Sequence, residues 1–357
     1  MVALLLCSSI QTSSKSYRCY LYQKPRYQNI FGKQQILTSS NYQINKSSNQ
    51  NYYFYKTQIK RLKMENIEIQ NESLSVRINF KGAELSSIYN KKKKIEHLWQ
   101  ADPSVWARHA PILFPIVGQV KGGKYFVDGE EYKLGQHGFA RDRVFELEEI
   151  TKTTAIFKLE SDDDSLKIYP FNFNLFVKYN LVGAKLNITY EVVNTDTKEI
   201  LFGLGAHPGF TVPFDADSNF EDYYLEFEKN ETVDKLLLST RGLLSGEVHE
   251  KFLDNTNRIP LNYSTFSKDA LIFENLESSF ITIKSDKTDV ALKMGIANFP
   301  LLGIWTMPGK NAPYVCIEPW YGVADAETST GKFEDKKAIN KLQVNSKFEM
   351  NFYVEIV

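Results

Sequence analysis

Apolar and polar residues alternate with a period of two over most of the chain from Asn66 onward. Between 171 and 181 every second residue is a large apolar one, and the residues between them include three asparagines and a lysine. The same alternation recurs from Leu186 to Val192 and from Phe348 to Ile356. Successive side chains of a strand point to opposite faces, so this pattern predicts antiparallel strands with one buried and one wetter face.

Short turn signals separate the alternating segments, namely Lys81-Gly82, Asp128-Gly129, Val182-Gly183 and Pro308-Gly309. The chain offers roughly fifteen strand candidates and no long amphipathic helix, which predicts an all-β fold, a large antiparallel β-sandwich. Residues 64–357 contain no internal repeat and no segment typical of an interdomain linker. We therefore predict a single domain over 64–357.

Residues 1–63 differ from the rest of the chain because they contain ten Lys or Arg residues and no Asp or Glu. They are rich in Ser, Asn, Gln, Tyr and Lys and show no sustained periodicity. Three interpretations remain open: a disordered extension, an organellar targeting segment, or a translated leader upstream of a start at Met64. This extension is excluded from the prediction of the fold.

The formal net charge of the whole chain is zero, which argues against nucleic acid or an anionic membrane as the partner. No apolar run approaches the length of a membrane span. After Met64 the only cysteine is Cys316, so a disulfide framework is excluded there and a reducing compartment is favoured. We predict a cytoplasmic protein, with targeting to an organelle by residues 1–63 as the alternative.

Two histidines occur in glycine-rich segments that interrupt the alternation. His137 lies within Gly135–Asp142, and His207 lies within Gly203–Phe210, directly after a predicted buried strand. Glycines let a ligand approach the backbone closely, and a histidine at a strand end can face a cleft. Each histidine taken alone is better explained by a structural role, but the recurrence of the setting in two segments favours a functional one.

An arginine and a glutamate stand in two further clusters. Arg108 precedes a rigid apolar segment with two prolines, and Glu318 lies among apolar and aromatic residues in Cys316–Gly322. Arginine presents a fixed fork of donors for hydroxyl or phosphate groups. A buried glutamate has a raised pKa, which suits a general base. The alternatives are an arginine bonded to backbone carbonyls and a glutamate that points to water.

Other chemistries lack support in the sequence. No His-x-x-x-His or Cys-x-x-Cys spacing suggests a metal, and no glycine-rich loop opens a helix to hold phosphate. Cys316 should point to the same side of a strand as Glu318, where its thiol can line a pocket without reacting.

In this order, the four clusters resemble the aldose 1-epimerase (galactose mutarotase-like) family, most closely its LacX-like branch. The matching blocks are Arg108 with Ala110-Pro111-Ile112-Leu113-Phe114-Pro115, His137-Gly138-Phe139-Ala140-Arg141, His207-Pro208-Gly209-Phe210 and Glu318-Pro319-Trp320. The likeness extends over essentially all of residues 66–357. It implies a single β-supersandwich domain with an open sugar-binding cleft, and neither a metal nor an organic cofactor.

The resemblance also implies roles for individual residues. His207 would be the general acid and Glu318 the general base, while His137 and Arg108 would bind sugar hydroxyls. The family also has a sugar-binding aspartate, for which Asp325 is the candidate here. We expect the indole of Trp320 to stack on the apolar face of a sugar.

Two departures from the family pattern affect the predicted substrate. Galactose mutarotases have His-x-Tyr-Phe-Asn-Leu where this chain has His207-Pro208-Gly209-Phe210, and commonly Gln where it has Trp320. These departures argue against galactose. A related branch acts on hexose 6-phosphates, and four basic residues are candidates for a phosphate here: Arg108, Arg141, Arg143 and Lys121.

We therefore predict an aldose 1-epimerase that interconverts the α and β anomers of an aldohexose or a hexose 6-phosphate, as a monomer or homodimer. The alternative is a non-catalytic carbohydrate-binding or sensor protein on the same fold. A glycoside hydrolase or lyase ranks last, because hydrolysis normally uses two carboxylates and only Glu318 stands in a convincing cluster.

Overall fold

The computed structural model describes residues 65–357, except for the side chains of residues 247 and 248. The predicted extension over 1–63 lies outside the described residues, and the division of the chain at residue 64 stays a prediction. Within the described part, no helix combines the length and apolar character needed to cross a membrane.

The described residues form 23 strands, one α-helix and five 3-10 helices. The strands are β1 Asn66–Gln70, β2 Leu74–Asn79, β3 Leu85–Asn90, β4 Ile95–Glu96, β5 Ile112–Leu113, β6 Lys124–Val127, β7 Glu130–Lys133, β8 Glu146–Ile150, β9 Thr154–Glu160, β10 Phe173–Val182, β11 Lys185–Asn194, β12 Ile200–Phe202, β13 Leu204–Ala206, β14 Gly209–Thr211, β15 Tyr223–Leu238, β16 Leu244–Pro260, β17 Leu271–Glu274, β18 Phe280–Ser285, β19 Leu292–Gly295, β20 Leu301–Trp305, β21 Tyr314–Tyr321, β22 Asn340–Leu342 and β23 Lys347–Ile356. The helices are α1 Asp163–Leu166, η1 Lys121–Gly123, η2 Ala140–Asp142, η3 Phe220–Asp222, η4 Tyr263–Phe266 and η5 Phe333–Asp335.

The number of strands exceeds the roughly fifteen expected from alternation. Strands β4 and β5 have only two residues, and β12, β13, β14 and β22 have three. Segments this short cannot display a period of two, so the hydrophobic pattern does not reveal them.

The main sheet has 15 strands, and the pairs within it are antiparallel. Its order is β5-β13-β21-β20-β17-β15-β18-β19-β23-β11-β10-β9-β8, with β14 beside β21 and β16 beside β15. A four-stranded sheet, β1-β2-β3-β4, and two strand pairs, β12-β22 and β6-β7, complete the described structure. The predicted all-β, antiparallel fold is confirmed.

The strongest alternating segments form neighbouring strands of this sheet. Strand β11 pairs with β10 on one side and with β23 on the other. Val177 of β10 is opposite Tyr190 of β11, which is opposite Met350 of β23, and all three side chains are buried in the core. Burial of one face therefore fixes the register of the three longest regular strands, since a slip of one residue would expose the whole apolar set.

Candidate active site

Strand β21 lies inside the main sheet, between β13 and β14 on one side and β20 on the other. Its side chains alternate between two buried layers. Val315 and Ile317 belong to the large core, whereas Cys316 and Trp320 pack in separate small clusters on the opposite face. Glu318 lies on this second face, so the strand projects a carboxylate into a largely apolar surrounding.

Glycines on the neighbouring strands make room beside Glu318 and Trp320. Gly303 of β20 is opposite Glu318, and Gly205 of β13 is opposite Trp320. A Cβ atom at Gly303 would lie 2.4 Å from the Trp320 ring, and one at Gly205 would lie 2.8 Å from its Cδ1 atom. The indole therefore packs directly over glycine backbone, and side chains at either position would displace it.

A cavity of about 980 Å³ opens above this part of the sheet. Its size is at the upper end of the range for small-molecule sites, which is about 300–1,000 Å³. Five of the residues proposed from the sequence line it, namely His137, Arg141, His207, Glu318 and Trp320. Segments far apart in the chain thus meet around one cavity. Arg108 and Asp325 are absent from its lining.

His207 and Glu318 form a close buried pair at this cavity. His207 directly follows β13, which pairs with β21. The Nε2 atom of His207 lies 3.2 Å from Oε2 of Glu318, and the two residues are only 8% and 1% exposed. A basic nitrogen and a carboxylate at this separation can serve together as an acid and a base.

Burial shifts the pKa values of the pair in opposite directions. Burial lowers the pKa of His207 to about 3, and the positive charges of Arg141 and Arg108 act in the same direction. Burial raises the pKa of Glu318 well above its usual range, and Asp269 adds to this while Trp320 opposes it. Both shifts favour a pair without net charge that holds one proton in total.

His137 presents a hydrogen-bond donor to the cavity. The Nδ1 atom of His137 accepts a hydrogen bond from the backbone N–H of Gly118 at 3.1 Å, and the backbone N–H of His137 donates to the Gly118 carbonyl at 2.8 Å. Burial lowers the pKa of His137 well below its usual value, so the ring is neutral and its proton lies on Nε2. The residue adopts a positive φ of 63°, a strained conformation that is typical of functional sites.

Two arginines lie near the pair, but only Arg141 lines the cavity. Its Nη2 atom donates to the Gln136 carbonyl at 2.7 Å, and its buried Nε has no hydrogen-bond partner among the described residues. Arg108 instead donates through Nη2 to both carboxylate oxygens of Asp142, at 3.1 and 3.3 Å. The geometry therefore favours Arg141 over Arg108 for contact with a ligand.

The proposal of Asp325 as the sugar-binding aspartate requires correction. Its Oδ1 atom forms a buried ion pair with Nζ of Lys336 at 2.8 Å, and its Oδ2 atom accepts from the backbone N–H of Lys121 at 2.9 Å. The carboxylate is 4% exposed and is absent from the cavity lining. Asp325 therefore has a structural role behind the cavity lining. Its backbone N–H donates to the carbonyl of Gln119, which is a lining residue.

Asp269 is the carboxylate that the sequence reasoning missed. It lies in the turn before β17, lines the cavity and has a strained φ of 88°. Burial raises its pKa, and its charge helps to raise that of Glu318. An aspartate in an ordinary polar turn carries no compositional signal, so only the fold reveals its position.

Aromatic side chains surround His207. The ring of Trp106 lies 5.0 Å from the imidazole at an angle of 30°, and Trp305 approaches at 5.5 Å with its plane at 85°. Both tryptophans line the cavity. They exclude water from the imidazole and supply flat faces to a ligand, in addition to the one that we predicted for Trp320.

The other basic residues proposed for a phosphate point elsewhere. Arg143 pairs with Asp162 at 3.3 Å, and Lys121 donates through Nζ to the Ser329 carbonyl at 3.2 Å. Neither lines the cavity, whereas Arg241 and Lys268 do. Of the four basic residues that the sequence suggested for a phosphate, only Arg141 lines the cavity, and Arg241 and Lys268 join it as candidates.

The comparisons with known proteins agree with this architecture. The chain matches the aldose 1-epimerase family over residues 65–327, which is more than half of its length. This protein therefore belongs to the aldose 1-epimerase family, and the resemblance drawn from the four sequence blocks is confirmed.

Individual relatives cover most of the described chain. The chain is 34% identical over 284 residues to plasmid-encoded protein LacX of Lactococcus lactis subsp. lactis, covering 77% of this chain and 94% of that protein. A galactose mutarotase related enzyme from Lactobacillus acidophilus superposes with a TM-score of 0.79 at 36% identity, covering 82% and 97% of the two chains. A galactose mutarotase-like protein from Lactobacillus casei gives a TM-score of 0.77 at 32% identity, covering 82% and 100%.

Proposed function

We propose that the protein is an aldose 1-epimerase that interconverts the α and β anomers of an aldohexose or hexose 6-phosphate. The observation that carries the proposal is the buried contact between His207 Nε2 and Glu318 Oε2 at the cavity. Membership of the aldose 1-epimerase family supports the same reaction class.

The chemistry needs one acid and one base at the anomeric carbon. Glu318 removes the proton of the anomeric hydroxyl while His207 protonates the ring oxygen, and the ring opens to the aldehyde. Rotation about the C1–C2 bond and closure with the roles reversed deliver the other anomer. Each positioned group contributes about 10²- to 10⁴-fold to the rate.

The His207–Glu318 pair holds the number of protons that these reaction steps require. Burial favours a state without net charge, in which a single proton is held between His207 and Glu318. Moving that proton from the carboxyl to Nε2 produces the imidazolium and the carboxylate, and the two atoms are 3.2 Å apart. The reactive form therefore needs no proton from solvent.

The remaining lining residues suit a neutral or phosphorylated sugar. His137 offers an Nε2–H donor, Arg141 offers a buried guanidinium, and Asp269 offers a carboxylate acceptor. Hydroxyl groups both donate and accept, so a sugar can satisfy all three. Trp320 and Trp305 provide apolar surface for the C–H face of the ring.

The test is anomer exchange measured by saturation-transfer NMR on glucose, galactose and glucose 6-phosphate. We expect Glu318→Gln and His207→Ala each to reduce the enzymatic exchange rate by about 100-fold or more. The exposed residues Glu72 and His249 provide matched controls, so Glu72→Gln and His249→Ala should leave the rate unchanged. Folded Glu318→Gln and His207→Ala proteins that exchange anomers as fast as the wild type would refute the proposal.

The same assay separates this proposal from a non-catalytic sugar-binding role. A binding protein on this fold would show sugar affinity in calorimetry without any acceleration of exchange. The set of sugars that are accelerated identifies the substrate, since glucose 6-phosphate tests the contribution of the cavity cations directly.

A further inference from the structure

Three side chains with ligating atoms meet on the cavity face of β21, although no local spacing in the sequence indicates a metal. The ligating atoms of His207, Cys316 and Glu318 all lie within 4.8 Å of one another. Cys316 and Glu318 are two residues apart on one strand and point to the same side, and His207 follows the neighbouring strand β13. Imidazole nitrogen, thiolate sulfur and carboxylate oxygen are the ligand types that Zn²⁺ prefers.

The three side chains are buried, and one of their ligating oxygen atoms lacks a hydrogen-bond partner among the described residues. Their exposures are 8% for His207, 0% for Cys316 and 1% for Glu318. The Oε2 atom of Glu318 is buried without a hydrogen-bond partner among the described residues. Burying such an atom without a partner costs free energy, and a bound cation would satisfy it.

The spacing also suits a tetrahedral ion. Bonds of about 2.0–2.3 Å to zinc place adjacent ligand atoms about 3.4 Å apart in a tetrahedron. The His207 and Glu318 atoms are 3.2 Å apart, and Sγ of Cys316 lies within 4.8 Å of the ligating atoms of both, so the thiolate has only a short distance to move toward a bound ion. With one thiolate, one carboxylate and a neutral imidazole, the complex with a divalent cation carries no net charge, which is favourable at a buried site.

From this arrangement we infer that His207, Cys316 and Glu318 bind Zn²⁺ or a similar thiophilic divalent cation. The fourth coordination position faces the cavity and takes water. On binding, the thiol and the acid–base pair release their protons to solvent. The bound ion occupies the Nε2 and Oε2 atoms that the proposed reaction uses, so metal and sugar exclude each other. Metal binding itself is independent of the proposed function, whereas the inhibition rests on it.

Cobalt binding tests the site directly, without any sugar. Full-length protein with Cys7→Ser and Cys19→Ser serves as the background, so that Cys316 is its one thiol. We expect one equivalent of Co²⁺ to bind, with a thiolate-to-cobalt absorption band in the near ultraviolet that Zn²⁺ abolishes by displacement. Cys316→Ser and Cys316→Ala should lose the band and weaken Co²⁺ binding about tenfold or more, whereas His249→Ala should change neither.

Anomer exchange with and without Zn²⁺ tests the consequence. Zinc should inhibit the background protein competitively with sugar, and a chelator should restore the rate. Cys316→Ser and Cys316→Ala should retain metal-free exchange and resist zinc. The inference is overturned if no cobalt–thiolate band forms, or if the Cys316 variants bind Co²⁺ as tightly as the background protein. A background protein that binds Co²⁺ but never exchanges anomers refutes the proposed function and leaves the metal site standing.

Discussion

At the scale of single residues, the chemistry depends on how many protons the His207–Glu318 pair holds. An isolated histidine titrates near pH 6.5 and an isolated glutamate near pH 4.3. In the fold, burial lowers the pKa of His207 to about 3 and raises that of Glu318 well above its usual range. The state with one proton, which the proposed reaction uses, therefore dominates over a range that begins well below neutral pH.

This protonation predicts an unusual acid limb in the pH profile of anomer exchange. As the pH falls, the pair takes up a second proton only near the lowered pKa of His207, about 3. We expect the enzymatic rate to stay level between pH 7 and pH 5 and to fall only as the pH approaches 4 and below. The enzymatic rate is measured by exchange NMR at each pH and corrected for the uncatalysed rate. Circular dichroism verifies that the protein stays folded. A midpoint near pH 6.5 would contradict the burial argument.

Individual residues also show which parts of the candidate site can be predicted from the sequence. His207 and Glu318 could be proposed because each occupies a distinctive glycine- or aromatic-rich block, and the structure places them in contact. Asp325 was proposed only because the resemblance implies a sugar-binding aspartate, and its carboxylate instead contacts Lys336 and Lys121 outside the cavity lining. Asp269 approaches the pair only through tertiary packing, which no local pattern encodes.

At the scale of elements, the sequence predicts long strands better than the strands that build the cavity. Strands β10, β11 and β23 bury one face and therefore alternate visibly. Strand β21 is buried on both faces over nearly its whole length, and β13 has only three residues, so neither shows alternation. The elements that carry Glu318 and precede His207 are thus the least visible in the hydrophobic pattern.

The packing of β20 against β21 predicts a strong effect of Gly303→Ala. The added Cβ would lie 2.4 Å from the Trp320 ring, beside Glu318. Overpacking of this kind costs about 1–3 kcal/mol, and the displaced indole should intrude on the cavity. We expect a lower free energy of unfolding in urea titration and a raised KM in anomer exchange.

Gly135→Ala is the matched control for this prediction. A Cβ at Gly135 meets nothing within 4 Å, and the residue does not adopt a positive φ. Its stability and KM should therefore stay close to those of the wild type. If Gly303→Ala is as stable and as active as Gly135→Ala, the close contact between glycine and indole does not shape the cavity.

At the scale of the whole molecule, the burial of histidines couples folding to pH. His97 lies in the core at 0% exposure, and neither ring nitrogen has a hydrogen-bond partner in the described part of the chain. Its ring packs against Phe214 at 5.0 Å, edge to face. Burial lowers the pKa of His97 to about 4, because the imidazolium would lose its hydration without gaining a partner.

The consequence is a loss of stability in mild acid that one substitution should reduce. The pKa of His97 is about 4 in the folded protein and about 6.5 in the unfolded chain, so the unfolded state binds more protons between these values. Its stabilising contribution is complete above pH 6.5 and is lost as the pH falls to 4, which amounts to about 2 kcal/mol between pH 7 and pH 5. Urea unfolding at both pH values should show this loss reduced by that amount in His97→Leu and unchanged in His249→Leu, an exposed position. An equal loss in His97→Leu and the wild type would mean that His97 is protonated in the core, with a partner that its packing does not reveal.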